Sequence, residues 1–414
     1  MKRYIAGLLA LLCLLSGCAK TPEPAPEPPV QEPPARQDPV QPAPAPTPEP
    51  APAPQPQPQP EPQPEPQPDP VLPTTVRIVA AGDNLLHNTI SLGAQLPDGG
   101  YDFSPIYQHI TDITAGADLC FVNQEIMLTG EVKGYPRMAA PFQAGDALRA
   151  AGFNIVNLAT NHSLDRGVAG LQKCVDYVNT LGFDAVLGAF ATEEDSKKPA
   201  LVEKNGVTFG FLSYTYDFNG YTLSKGNEWK LSQTSISKMK ADCAAIRPLC
   251  DYLIVSMHWG TEYATAESQD QRNLAQMLCS WGADLIIGTH PHVLQPVRLV
   301  EYGGRQAICV YSLGNFVSNQ HKAMTMLGGM LDLTLEFDEE GTMTRIVNLG
   351  VIPTMTYYDQ TEREYRVWPL NLCTEELVQQ HGIHAYVEGF TLDWLKEQAD
   401  RILGTSRMDW QVAG

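Results

Sequence analysis

The sequence predicts a layered α/β domain preceded by a disordered, Pro-rich spacer, and three features carry that prediction. From Thr74 onward, short apolar runs rich in Val, Ile, Leu and Phe alternate with helical patterns, as in parallel strands buried on both faces. After His292 the pattern changes to pairs of strands about short turns. Ahead of both, the segment to Pro73 is dominated by Pro, Glu, Gln and Ala, a composition with too little apolar surface to fold.

The chain begins with an export-like segment, residues 1–17. Lys2 and Arg3 supply the positive start, and residues 5–15 supply an apolar core. That run is shorter than the ~20 apolar residues a spanning helix needs. It ends in Leu15-Ser16-Gly17-Cys18, which looks like a bacterial lipobox with Cys18 as the acylated residue. The alternative is an ordinary signal peptide with an incidental cysteine. Residues 18–73 then read as the spacer, typified by Gln55-Pro56-Gln57-Pro58. At about 3.1 Å per residue in polyproline geometry, it reaches more than roughly 100 Å from a lipid anchor. Membrane attachment through lipid, on the extracellular face of the cell membrane, is the expectation.

Residues 74–414 read as one folded domain. Strands are expected at 76–81, 119–123, 155–158, 253–257 and 285–288, with helices at 106–115, 167–181, 235–246 and 269–281. Gly303-Gly304 between apolar runs 297–302 and 307–311 signals a hairpin. A second is expected where residues 338–341 separate 330–337 from 344–351, and a helix near 392–403 closes the chain. Lys2 and Arg3 contribute +2 and the spacer −6, so the part from Thr74 carries −15 of the formal −19. This surface argues against nucleic acid as a partner. Cys13 belongs to the signal and Cys18 to the anchor. The other seven cysteines have no metal-knuckle spacing, and buried thiols are expected, with a Cys243–Cys250 bridge left open.

The chemistry lies where the strand candidates end. Ala81-Gly82-Asp83 closes the first, with His87 close behind, and Asn123-Gln124-Glu125 the second. Asn161-His162, followed by Asp165, closes the third; His258-Trp259-Gly260-Thr261-Glu262 the fourth; Thr289-His290-Pro291-His292 the fifth. Ligands in such sheets bind at the carboxyl ends of strands, so these groups converge. Carboxylate, amide and imidazole together suit Mn, Zn or Fe better than Ca. The set is large enough for two ions about 3.5–4 Å apart. Blander readings compete. Asp83 could cap a helix starting near Leu85. Trp259 and Tyr263 could be core aromatics or a substrate wall, and Asn315 could orient a ligand or stabilise a turn. Arg137 could bind an anionic substrate or be an ordinary surface residue. His109, His321, His381 and His384 are read as structural.

These motifs, in order and ending with Tyr311-Ser312-Leu313-Gly314-Asn315-Phe316, resemble the CapA (poly-γ-glutamate capsule synthesis) family over about residues 76–316. That family is in turn similar to calcineurin-like metallophosphoesterases, and the resemblance implies a layered α/β/β/α sandwich. It further implies that Asp83 holds one metal and that Glu125 takes the bridging position. Asn161, His258 and His290 would hold a second ion, and His292 would return to the first. His162 would be the proton donor or would steady developing charge. Trp259, Glu262 and Asn315 are the candidate substrate-binding residues. Two departures stand out: residue 85 is Leu, so no Asp-x-His follows the first strand, and Glu125 replaces Asp. Two functions follow. One is a capsule-synthesis component that binds an anionic envelope polymer, together with membrane subunits of a polymer synthase. The other is a metal-dependent hydrolase, a phosphoesterase or amidase, acting on an envelope substrate.

Overall fold

The computed structural model describes residues 73–409. The signal segment, Cys18 and the Pro-rich spacer lie outside the described residues. Among the described residues there are fourteen strands: β1 (Thr74–Asn84), β2 (Leu119–Gln124), β3 (Ile155–Asn157), β4 (Ala185–Leu187), β5 (Ala200–Lys204), β6 (Val207–Thr215), β7 (Tyr252–His258), β8 (Leu285–Thr289), β9 (Val297–Tyr302), β10 (Arg305–Val310), β11 (Asn315–Val317), β12 (Leu327–Phe337), β13 (Met343–Tyr358) and β14 (Tyr365–Pro369). They form two sheets. One runs β14-β13-β12-β1-β2-β3-β4, with β11 joined to the end of β1, and the other runs β5-β6-β7-β8-β10-β9.

Strands β1 to β4 pair in parallel, as do β6, β7, β8 and β10, while β12, β13 and β14 are antiparallel. Alternate side chains of the second sheet go to two different cores. Tyr252 and Ile254 point inward to the core shared with the first sheet, where Phe209 meets Phe337 edge-on at 5.9 Å. Leu253, Val255 and Met257 point outward and pack with Met239, Cys243 and Leu278 of helices Ile236–Ile246 and Gln269–Trp281. Helices Gln143–Ala150 and Gly167–Val178 pack their apolar sides into the first core. The result is the expected layered sandwich of helices, two sheets and helices. None of the helices among the described residues is long and apolar enough to cross a membrane.

Local chemistry sets the element ends. Ser268 accepts from the Gln271 amide while the Gln271 side chain returns to the Ser268 N–H, a capping box opening helix Gln269–Trp281. Gly282, at φ 110°, ends that helix in the left-handed conformation. Both glycine-signalled hairpins form where expected, as β9–β10 and β12–β13. The stretch 106–115, expected as one helix, is two short ones, Ser104–Tyr107 and Thr111–Ala115. Their Ile106, Tyr107, Ile110 and Ile113 are all buried in one core, so the apolar spacing was real although the helix breaks. All seven cysteines of the described residues are free and buried, Cys243 and Cys250 included.

One glycine determines how closely the strand ends approach. A Cβ at Gly82 would sit 2.0 Å from the Gly314 carbonyl oxygen, and that carbonyl accepts the Asp83 N–H at 2.9 Å. Gly82→Ala must therefore push the β11 entry away from β1. The expected cost is about 1–3 kcal/mol, as for an overpacked core, measured by urea unfolding, with the loss concentrated in the site described next.

Candidate functional site

The carboxyl ends of β1, β2, β3, β7 and β8 meet in one buried polar centre. Asp83, Asn123, Glu125, Asn157 and His258 are fully buried, and Asn161, His290 and His292 are nearly so. The turn after β8 is forced: His290 has φ 97° and His292 φ 60°, conformations that cost a non-glycine residue of order 1–3 kcal/mol each. Flanking Pro291, this strained turn aims two imidazoles at the ends of β1 and β2.

Asp83 organises one side. Its carboxylate accepts from Asn123 Nδ2 at 2.9 Å and from the His290 N–H at 3.2 Å, and His292 Nδ1 lies 3.0 Å from Oδ2. The same His292 nitrogen is 3.0 Å from Asn315 Oδ1. The Asn315 amide in turn donates to Ser318, Gln320 and the Thr325 carbonyl, so Asn315 both orients His292 and ties down its own turn. On the other side, His258 Nε2 lies 2.9 Å from Asn161 Oδ1, while its Nδ1 meets Thr289 Oγ1 at 3.0 Å. That Thr289 contact fixes the ring's orientation.

Glu125 lies between the two sides. Neither of its carboxylate oxygens has a hydrogen-bond partner, and the same holds for His290 Nδ1. Ligand-capable atoms of Asp83, Glu125 and His292 fall within 4.8 Å of one another; so do those of Glu125, His258 and His290, and those of Glu262, His290 and His292. Glu125 is common to the first two groups. Burial, with Asp83 and Glu262 nearby, pushes its carboxyl well above the usual carboxylate range. Burial and the neighbouring imidazoles hold His258 well below its ordinary value, and His290 is pushed down to about 3. Neutral imidazoles are the protonation states that accept a divalent cation, a cation here would take the place of the Glu125 proton, and mixed N and O donors suit Mn, Zn or Fe. The residues fit a metal.

His162 stands at the rim. Its Nδ1 is 2.8 Å from Asp165 Oδ2, and that carboxylate also accepts the Met138 N–H at 2.9 Å. With Nδ1 donating to Asp165, Nε2 is left to exchange a proton. Arg137 belongs to the same loop and donates Nε to the Asp165 carbonyl. Glu262 is exposed and reaches the centre from above. His87 lies outside all three groupings; its Nδ1 accepts the Asn319 N–H, and burial pushes it down to about 4. Leu85 is buried in the core.

Trp259 is corrected. It does not line the centre: its ring packs in the outer core against Tyr311, and Nε1 donates to the Tyr311 carbonyl at 2.9 Å. Gly288 makes room for it, since a Cβ there would sit 2.6 Å from Nε1. Sequence reasoning missed two residues at the centre, Tyr216, 4.6 Å from the His290 ring, and Asn219, bonded to Asn161 and within 3.3 Å of His162 Nδ1. Both follow β6, whose alternating Val207, Phe209, Phe211 was the signal that would have placed them.

The protonation states make a sign-definite prediction. A raised Glu125 value contributes stability below the ordinary carboxylate value of about 4.3, and that contribution is lost as pH rises towards the folded value. Without metal, Glu125→Gln should therefore raise unfolding free energy at pH 7.5. The gain should vanish near pH 4, as read by urea unfolding in chelator. The depressed His290 value acts oppositely: its contribution is present above about pH 6.5 and is lost as pH falls towards 3.

The model of the family described as Bacterial capsule synthesis protein PGA_cap matches residues 77–320, more than half of the chain. The chain is 29% identical over 228 residues to the PGA biosynthesis protein CapA of Bacillus subtilis (strain 168), covering 52% of this chain and 57% of that one. It is 31% identical over 231 residues to the capsule biosynthesis protein CapA of Bacillus anthracis, covering 53% and 55%. The chain thus spans about half the length of these relatives. Among solved structures, the NAD nucleotidase of Haemophilus influenzae superposes with a TM-score of 0.44 at 12% identity, covering 82% of this chain and 58% of that one. A 5'-nucleotidase precursor of Thermus thermophilus gives 0.44 at 13%, covering 79% and 59%. Both scores are too low to bear on the site. Six ordered motifs and a matching family model lead to one assignment: the chain belongs to the bacterial capsule synthesis protein PGA_cap family.

Proposed function

We propose that this chain acts in poly-γ-glutamate capsule synthesis at the outer face of the cell membrane, tethered through lipidated Cys18 and the spacer of residues 18–73. Its working part is a divalent-metal centre held by Asp83, Glu125, Asn161, His258, His290 and His292, with Glu262 at its mouth. One observation carries the proposal: the fully buried Glu125 carboxylate has no hydrogen-bond partner and lies among three imidazoles. An ionised carboxylate left so costs several kcal/mol, which a cation would offset. The polymer partner is an anionic chain of carboxylates, and the relatives named for capsule biosynthesis support that substrate.

Turnover is the second reading, favoured by the His162–Asp165 pair. When bound, the metal supplies Lewis-acid polarisation of a substrate oxygen and lowers the pKa of water. Asp165 holds the His162 ring with Nε2 outward, where it would protonate the leaving group of an amide or ester. Asn219 Oδ1 accepts from the Asn161 amide at 3.1 Å and so steadies Asn161. Tyr216, over His290, narrows the approach.

Elemental analysis of the purified chain should find about one or two equivalents of Mn, Zn or Fe, falling in both Asp83→Asn and His290→Ala. No metal, even after adding Mn or Zn, would sink the centre. For turnover, His162→Ala should keep its metal and lose about 10²- to 10⁴-fold in hydrolysis; unchanged hydrolysis removes His162 from the chemistry. Unaltered polymer output from a strain lacking the chain would reject the capsule role.

A further inference from the structure

Away from the polar centre, a cavity of about 470 Å3 opens at the side of the sandwich where the edges of the two sheets part. Strands β4 and β6, the segment before β5, residues 228–232 and helix Ile236–Ile246 wall it. Its interior is mainly apolar and aromatic, with Phe190, Phe211, Trp229 and Leu231 among the lining groups. The cavity is open to solvent on one side, and its volume falls in the range of small-molecule sites.

Acidic residues outnumber basic ones 47 to 28 overall, yet the charged lining residues are Lys197, Lys198 and Lys238 against Glu228 and Asp242. Asp242 is already engaged by Tyr214 Oη and Lys238 Nζ, each at 2.6 Å. Lys197 and Lys198 make only exposed ion pairs, with Glu193 and Asp195, which hold a lysine weakly. Both are therefore available to an incoming anion, and Leu249, half exposed, continues the apolar lining to the surface.

The cavity also has two connections to the polar centre. Ser213 Oγ, in its wall, donates to Asn157 Oδ1 at 2.5 Å; Asn157 donates to Asn123 at 2.7 Å, and Asn123 to Asp83 at 2.9 Å. Independently, the excursion after β6 carries Tyr216 and Asn219 at the centre and Trp229 to Ser232 in the cavity wall. That excursion is pinned by Thr215 N–H to the Ser232 carbonyl at 3.0 Å and by Ser232 N–H to the Gly188 carbonyl at 2.9 Å.

We propose that this cavity binds an acyl-chain anion, tail among the aromatic residues and head at Lys197 and Lys198, and that its occupancy steadies the segment bearing Tyr216 and Asn219. A filled wall restrains residues 228–232 and, through them, the other end of the same excursion, so the two sites are linked whether or not a metal is bound.

The test titrates the full chain with a long-chain polyene fatty acid whose fluorescence rises in apolar surroundings. Saturable one-to-one binding is expected. Ala245→Trp, an exposed change at the cavity mouth, should weaken it about tenfold or more, a loss of about 1.4 kcal/mol. Absent or non-saturable binding, or equal binding in Ala245→Trp, overturns the site. Lys197→Glu with Lys198→Glu, both on the surface, should also weaken binding, and equal affinity overturns the head-group assignment. Hydrogen exchange at residues 216–220 should slow on adding the fatty acid; unchanged exchange overturns the link.

Discussion

The carboxylate of Asp83 ties the two sheets together at the edge where the chemistry lies. It ends β1 of the first sheet, takes a hydrogen bond from Asn123 of β2, and accepts the backbone N–H of His290 from the second sheet. Gly82 permits the approach, because only a residue without Cβ lets β1 lie against Gly314. The pairing of Asp83 with Asn315 in the β1–β11 register then places His292 between them. Registry, strain and polar contacts at this edge all trace to that one aspartate position.

The centre trades stability for chemistry. Two non-glycine residues with positive φ, a buried carboxylate without a hydrogen bond and imidazoles held neutral by burial are each unfavourable in a chain without metal. They persist because the second sheet is packed on both faces, with Tyr252 and Ile254 on one side of β7 and Leu253 and Val255 on the other. A rigid double core can sustain a strained edge that a looser one would relax.

Much of this was legible in the chain. The strands that carry the centre are continuous apolar runs because they are buried on both faces, so a polar residue ending such a run stands out. That is why Asp83, Glu125, His258, His290 and His292 could be named, and the structure brings them together. Helix Gln269–Trp281 was readable from its apolar spacing. Strands β5 and β6 were not identified, because Thr208, Gly210 and Ser213 interrupt β6, so it is not the continuous apolar run that marked the other inner strands. With β6 unplaced, Tyr216 and Asn219 had no position. Trp259 was misassigned for a different reason: it follows His258 in sequence, but successive residues of a strand point to opposite faces, and Trp259 takes the outer one. Thr289, which orients His258, is polar in a way that sequence cannot tell from a turn residue.

The seven thiols of the described domain have a separate consequence. Each is buried, and burial raises the thiol above its ordinary value at Cys120, Cys174, Cys243, Cys250, Cys279, Cys309 and Cys373. A thiol that is neither ionised nor reachable does not exchange with disulfides. None of the seven is paired in a disulfide, and burial disfavours exchange at each while the domain is folded. Its thiols become reactive only when a core opens, which makes them natural reporters of unfolding: Cys243, Cys250, Cys279 and Cys309 for the outer helical core, and Cys120, Cys174 and Cys373 for the core between the sheets and around the first of them.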